Sequence, residues 1–312
     1  MYRFLKPLCI VIAALAVIRV DAQKYVSVTP RKAYDFVNSI GVNTHFGYYD
    51  TTYGNYVQIL KPRLLELGVK HIRDGTYNAD VVKKYKEVGQ YGIRLLLITY
   101  PDRAVEQAKA IGSMLWGVEA VNEPDTRKYE GGWVQYARMQ QRDLYRAIKS
   151  DAELQHIPVV GLSLANIRNS PSALGDISEW MDYGGMHPYA AGQYPSRHWG
   201  WGLSMTDALN EAHKVSNRKP MLVTECGYHN KEHNPNHPGV SENAAAIYHL
   251  HLFFTYFNQG IVRSYKYEFL DLNPDNDMGD MECHFGLVRS DGSVKPSFTA
   301  IKNLISLLDE QA

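Results

Sequence analysis

Residues 115–123 read LWGVEAVNE, an apolar run that closes on an adjacent asparagine and glutamate before Pro124 stops it. Its polar ending has two readings. Asn-Glu-Pro-Asp is ordinary turn chemistry, but it also suits a carboxylate held at the rim of a barrel. The rest of the chain decides between them.

Seven more runs of this kind follow the same rhythm: SIGVNTHF (39–46), GVKHIRDG (68–75), IRLLLITY (93–100), IPVVGLSL (157–164), DYGGMHPY (182–189), PMLVTECG (220–227) and VRSYKYEFLD (262–271). Between them lie segments with apolar residues at three- and four-residue spacing, several opening on a capping residue and ending on glycine. WVQYARMQQRDLYRAIKS (133–150) is the longest of the early ones, and Tyr136, Met139, Leu144 and Ile148 are expected on its apolar face. Eight strand–helix units predict an α/β fold, a single (β/α)8 TIM barrel. A doubly wound open sheet is the competitor, but the count is eight and no Gly-x-Gly-x-x-Gly turn follows the first strand.

The first 22 residues stand apart from this series. Arg3 and Lys6 precede an apolar run from Leu8 to Ile18, and Val-Asp-Ala then offers small residues before Gln23. That layout predicts a secretory signal peptide, residues 1–22, and a catalytic domain over 23–312. The run is shorter than the ~20 residues of a spanning helix, so no membrane association is expected after cleavage. The mature chain is expected to be extracellular or periplasmic and monomeric. With 33 basic and 33 acidic residues the formal net charge is zero, which argues against a nucleic-acid partner. Cys9 leaves with the signal. Cys226 and Cys283 remain, either as a disulfide pinning the loop after strand eight or with Cys226 as a buried thiol. The adjacency of strands seven and eight favours the disulfide.

In a (β/α)8 barrel the active site lies where strands end and the following loops begin. Strand one ends in His45, strand two in Arg73 and Asp74, and strand four in Asn122 and Glu123. Strand six ends in His187 and Tyr189, strand seven in Glu225, and strand eight in Tyr267 and Glu268. Glutamates three strands apart face each other across the mouth, as double displacement at a sugar carbon requires.

VNEPD on strand four and VTECG on strand seven resemble the two signatures of the retaining glycoside hydrolases built on (β/α)8 barrels, the cellulase-like clan A type. The resemblance implies that Glu123 is the acid/base, Glu225 the nucleophile and Asn122 a contact to the sugar 2-hydroxyl. Arg73 matches the strand-two arginine that braces the nucleophile, and HPY matches a His-x-Tyr after strand six. The sequence departs from many clan members at the end of strand eight, where YKYEFLD holds no tryptophan. Tyr265 or Tyr267 then becomes the candidate platform under the sugar.

Beside this resemblance, the chemistry asks for one carboxyl that donates a proton and one that attacks. Glu225 would raise the affinity of Glu123 for its proton, while Arg73 and Tyr189 hold Glu225 ionised. Retention predicts carboxyl groups ~5–5.5 Å apart, inversion ~6.5–9.5 Å. Further candidate contacts are His45, His187, Glu268, and Trp199 and Trp201 in SRHWGWG, which would serve as stacking platforms or as that loop's own anchor. His229, His233 and His237 are spaced four apart, but the asparagines and prolines among them read as a loop. DLNPDNDMGDME (271–282) comes near calcium-loop spacing without the sixth-position glycine, so it reads as a solvated acidic loop. No metal and no cofactor is expected, and the expected partner is a carbohydrate substrate. A non-catalytic carbohydrate-binding or cell-wall protein on the same barrel is the alternative.

Overall fold

In the computed structural model, described here over residues 29–195, 197, 203–275 and 278–309, eight short strands alternate with helices. The proposed signal peptide and both Trp199 and Trp201 lie outside the described residues. The order is α1 (Ala33–Val37), β1 (Ile40–Asn43), α2 (Lys61–Leu67), β2 (His71–Asp74), α3 (Ala79–Gly89), β3 (Arg94–Ile98), α4 (Ala104–Ile111) and β4 (Leu115–Glu119). It continues with α5 (Trp133–Ser150), β5 (Val159–Val160), α6 (Ser170–Leu174), β6 (Gly184–Met186), α7 (Met205–Ser216), β7 (Met221–Cys226), α8 (Glu242–Asn258), β8 (Arg263–Lys266) and α9 (Pro296–Leu308). Every named strand pairing is parallel, in the order β5-β4-β3-β2-β1-β8-β7-β6. A parallel bridge between Val160 and Tyr183, with Gly161 N donating to Tyr183 O at 2.7 Å, joins the two ends into a ring. All eight expected strands are present, and the expected barrel is the observed one.

Local chemistry explains where the helices begin and end. Asn78, Ser204 and Ser241 each accept a backbone N–H of the first turn at the starts of α3, α7 and α8. Gly68, at φ 81°, closes α2 in the left-handed conformation that a side chain disfavours. In α5 the buried positions are Ala137, Gln141, Leu144 and Ile148. Met139, expected on that face, is exposed instead, because the inward stripe starts one residue after Tyr136 and includes a glutamine. Gln141 is satisfied there, donating to Trp180 O at 2.8 Å and accepting from Leu162 N at 2.8 Å.

Two apolar layers follow from strand alternation. The outer faces of the strands pack under the helices in one continuous core. Inside the ring, Leu96, Val160, Leu222 and Tyr265 form a separate plug, flanked by Trp116, Tyr183 and Val262. Tyr265 fits because β1 offers Gly41 opposite it, where an added Cβ would come within 2.6 Å of the tyrosine ring. Tyr265 therefore lies fully buried below the mouth and is not the sugar platform considered for it. Tyr267, two residues on and one layer higher, lines the cleft.

The plug sets a stability expectation. Leu96→Ala should lower the unfolding free energy by about 2–5 kcal/mol, because the closed ring cannot collapse around the void. Met139→Ala, on the exposed side of α5, should change it by no more than about 0.5 kcal/mol. Urea unfolding of the two variants checks the contrast.

Candidate active site

Above the plug the inward-facing side chains become polar. Arg73 is buried at the end of β2, and its guanidinium reaches three acceptors. Nε donates to Glu119 Oε2 on β4, Nη1 to Glu225 Oε1 on β7 at 2.7 Å, and Nη2 to Asn122 Oδ1 at 2.8 Å. Burial works against the guanidinium's charge, yet Glu119 and Glu225 raise its hold on its proton. It is a fixed cation.

Glu225 Oε2 accepts from the Tyr189 hydroxyl at 2.8 Å. Burial pushes its carboxyl up, but His187, Arg73 and Tyr189 outweigh it and hold Glu225 below the ordinary glutamate value. His187 bridges the two glutamates. Its Nδ1 lies 2.7 Å from Glu123 Oε1 and 3.7 Å from Glu225 Oε2, and its Nε2 lies 3.0 Å from Thr224 Oγ1. Burial disfavours the imidazolium, while Glu225 and Glu123 more than restore it, so His187 is raised overall. One oxygen of Glu123, one of Glu225 and a ring nitrogen of His187 lie within 4.8 Å of one another.

The backbone presents Glu123 in a special way. It sits in the left-handed region, φ 46° and ψ 55°, just before the proline that opens a short 3-10 turn, and its N–H donates to Ser163 O at 3.2 Å. A side chain there carries strain that the surroundings must hold in place. The turn chemistry of Asn-Glu-Pro-Asp and the rim carboxylate are thus one feature.

A cleft of about 1010 Å³ opens above these groups. Arg73, Asn122, Glu123, His187, Tyr189, Glu225, His45 and Tyr267 all line it, so the structure brings these sequence candidates together. Glu268 departs from expectation. It is fully buried beneath His45, accepting from the Tyr53 hydroxyl at 3.0 Å and lying 3.3 Å from His45 Nε2. It supports His45, which stacks on Tyr48 at 4.3 Å between ring centroids, and is itself out of reach of a ligand in the cleft.

Cys226 and Cys283 are both free thiols, which corrects the disulfide favoured above. The register of β7 is irregular between Val223 and Cys226, leaving Cys226 in the layer under the helices, where its thiol donates to Tyr265 O at 3.4 Å. Cys283 belongs to the 3-10 turn Met281–His284, beyond the end of β8. Adjacent strands do not suffice when one sulfur faces the helices.

Two residues escaped the sequence reading. Glu119 is completely buried and pairs with Arg73; its signal was a charge in the middle of the run GVEAV, which demands a countercharge inside the barrel. Glu282, read as one of many acids in a solvated loop, lines the cleft. Two other acids of that loop are engaged within the protein: Asp271 pairs with Lys295 at 2.8 Å, and Asp275 accepts from Asp280 N at 2.7 Å.

No protein-family model matches the sequence, and no curated protein matches it. Solved structures do. A family 39 glycoside hydrolase from the gut symbiont Bacteroides cellulosilyticus aligns with TM-score 0.62 at 18% identity, covering 91% of this chain and 66% of that one. The β-D-glucuronidase of Dictyoglomus thermophilum aligns with TM-score 0.60 at 14% identity, covering 85% of this chain and 50% of that one. The family 17 β-1,3-glucanosyltransferase of Rhizomucor miehei aligns with TM-score 0.58 at 16% identity, covering 82% and 95%. The chain thus spans about two thirds of the first of these and half of the second. What it shares with these proteins is the (β/α)8-barrel fold.

Two expectations follow from the site. Arg73→Met leaves Glu119 and Glu225 without their cation and should cost about 3–5 kcal/mol at neutral pH, whereas Arg73→Lys, which keeps the charge, should cost less. Glu225 is held below its ordinary value of 4.5, so its share of that stability is complete above pH 4.5 and is lost as pH falls through its lowered pKa. The gap between wild type and Arg73→Met in urea unfolding should therefore shrink in that acidic range. Separately, a reducing agent should leave the thermal midpoint unchanged; a drop would restore the disulfide.

Proposed function

We propose that the protein is a secreted, monomeric, retaining glycoside hydrolase that cleaves β-glycosidic bonds in a polysaccharide or oligosaccharide. The observation that carries this reading is the pair Glu123 and Glu225, with carboxylate oxygens within 4.8 Å of each other and opposite surroundings. An approach this close between their nearest oxygens supports retention, which calls for carboxyl groups ~5–5.5 Å apart, over inversion at ~6.5–9.5 Å. The solved structures of the same fold include enzymes named for β-glycosidic chemistry, which supports the class without specifying the glycan.

The roles in this reading are as follows. Glu225, kept ionised by His187, Arg73 and Tyr189, attacks the anomeric carbon. The bond to the leaving oxygen breaks as Glu123 gives that oxygen a proton, and a glycosyl ester of Glu225 forms. Esterification removes the charge of Glu225, one of the charges that favour the imidazolium of His187. Glu123 then takes a proton from water as its oxygen attacks the same carbon, releasing the sugar with its β configuration and freeing Glu225. In this reading Asn122, held by Arg73, contacts the 2-hydroxyl, and Tyr267, which lines the cleft, lies under the ring.

Proton NMR during hydrolysis of an aryl β-glycoside should show the β anomer first. Early α anomer would exclude retention. Glu225→Gln should lower kcat by at least about 10⁴-fold while oligosaccharide binding persists. The acidic limb of kcat/KM should fall below pH 4.5, where Glu225 protonates. Wild-type protein that binds glycans yet turns none over would be a carbohydrate-binding protein on this barrel.

A further inference from the structure

The cleft holds a further glutamate that two-glutamate chemistry leaves unused. Glu282 stands on the 3-10 turn Met281–His284, which follows β8, and lines the cleft with Tyr267, His45 and Tyr48. The segment that carries it is built. Asp271 accepts from Gly286 N and from Lys295 Nζ, each at 2.8 Å, and so anchors the base of the loop. Asp280 Oδ1 accepts from Glu282 N at 3.0 Å and fixes the backbone at the turn.

The carboxylate itself is only half engaged. The Tyr267 hydroxyl donates to Oε2 at 3.1 Å, and Oε1 accepts from no described group. Burial raises the carboxyl to about 7, Tyr267 opposes the rise, and the charges that bear on it most are the carboxylates Glu268, Asp280 and Glu225. Ionised above about pH 7, a carboxylate with one free oxygen in a cleft is suited to hydroxyl donors and repels anions.

The proposed reaction sets which part of a substrate it faces. With Glu123 as proton donor, the leaving group takes the Glu123 side of the cleft. The sugar that Glu225 attacks then takes the other side, where Tyr267, His45 and Glu282 line the cleft. We infer that Glu282 recognises the sugar attacked by Glu225: its free oxygen accepts a ring hydroxyl, and its charge selects neutral sugars over uronic acids. This rests on the glycosidase reading. Tyr267 would hold Glu282 at the edge of the platform it forms, so both act on one sugar.

The test compares wild type, Glu282→Gln and Glu282→Ala at about pH 8, where Glu282 is ionised, on the 4-nitrophenyl β-glycosides of glucose, xylose and glucuronic acid. The glucoside and glucuronide differ only in a hydroxymethyl against a carboxylate. Wild type should favour the neutral glycosides. Glu282→Gln, which keeps the shape and removes the charge, should narrow the preference over the glucuronide at least tenfold. Glu282→Ala should lower kcat/KM on the neutral glycosides about 10–100-fold, mainly through KM, in keeping with the loss of a hydrogen bond to a charged group. A wild-type preference for the glucuronide, or an unchanged ratio in Glu282→Gln, overturns the inference and leaves the glycosidase reading intact. If wild type cleaves none of the three glycosides or the two tetraoses that follow, the glycosidase reading falls. Calorimetry with cellotetraose and laminaritetraose then decides the sugar contact. Binding weakened at least tenfold by Glu282→Ala sustains it, and equal or absent binding overturns it.

Discussion

Inside the ring, above the level that Leu96, Leu222 and Tyr265 fill, one guanidinium faces two glutamates with little water to share the charge. Arg73 cannot give up its proton, and Glu119 cannot leave, since it has no exposed surface at all. This layer therefore exists only if three strands, β2, β4 and β7, meet in one register. A slip of one residue on any of them would turn its charge into the aliphatic shell under the helices, at a cost of several kcal/mol. Glu119 supplies half of the charge that holds Arg73 in place, so the guanidinium can serve Glu225 without being consumed by it. The arginine is shared between a structural partner and a reactive one.

That sharing sets the electrostatic character of the mouth. Glu225 receives Arg73, Tyr189 and the field of His187, while Glu123 receives one contact from His187 and a side chain still a quarter exposed. The two carboxyls are the same residue type in neighbouring positions, and their surroundings differ in kind. Thr224 and Ser163 extend the asymmetry, linking His187 to Glu119 through hydroxyls at 3.0, 2.7 and 3.4 Å. A path of polar contacts thus runs from the structural glutamate to the one at the rim.

The fold was legible because its period is simple. Eight apolar runs closed on polar residues, and each marked a strand whose last residues face the mouth. The candidates His45, Arg73, Asn122, Glu123, His187, Tyr189, Glu225 and Tyr267 could be picked out for the same reason, since strand ends are where a barrel places side chains together. What was not legible depended on facts outside any one segment. Glu268 looked like a strand-end acid, but Tyr53 from the loop after β1 takes one of its oxygens and His45 covers it. Glu282 was hidden among acids of similar spacing, two of which are engaged within the protein, Asp271 by Lys295 and Asp275 by His284. Cys226 shows the limit of adjacency, since an irregular register within β7 decides which way its sulfur points.

The ring is not closed evenly. β5 spans two residues and β6 three, and one bridge, Val160 to Tyr183, joins them, whereas β7 runs for six residues between two paired neighbours. The backbone N–H of Glu123 is bonded to Ser163, on the loop that rises directly from β5. Local opening, which begins where hydrogen bonds are fewest, would therefore start at this seam and reach Glu123 before it reaches Glu225. A barrel warmed toward its limit would keep the ion pair that readies its attacking group while losing the alignment of its proton donor, so the two halves of one reaction ride on parts of the wall with different endurance.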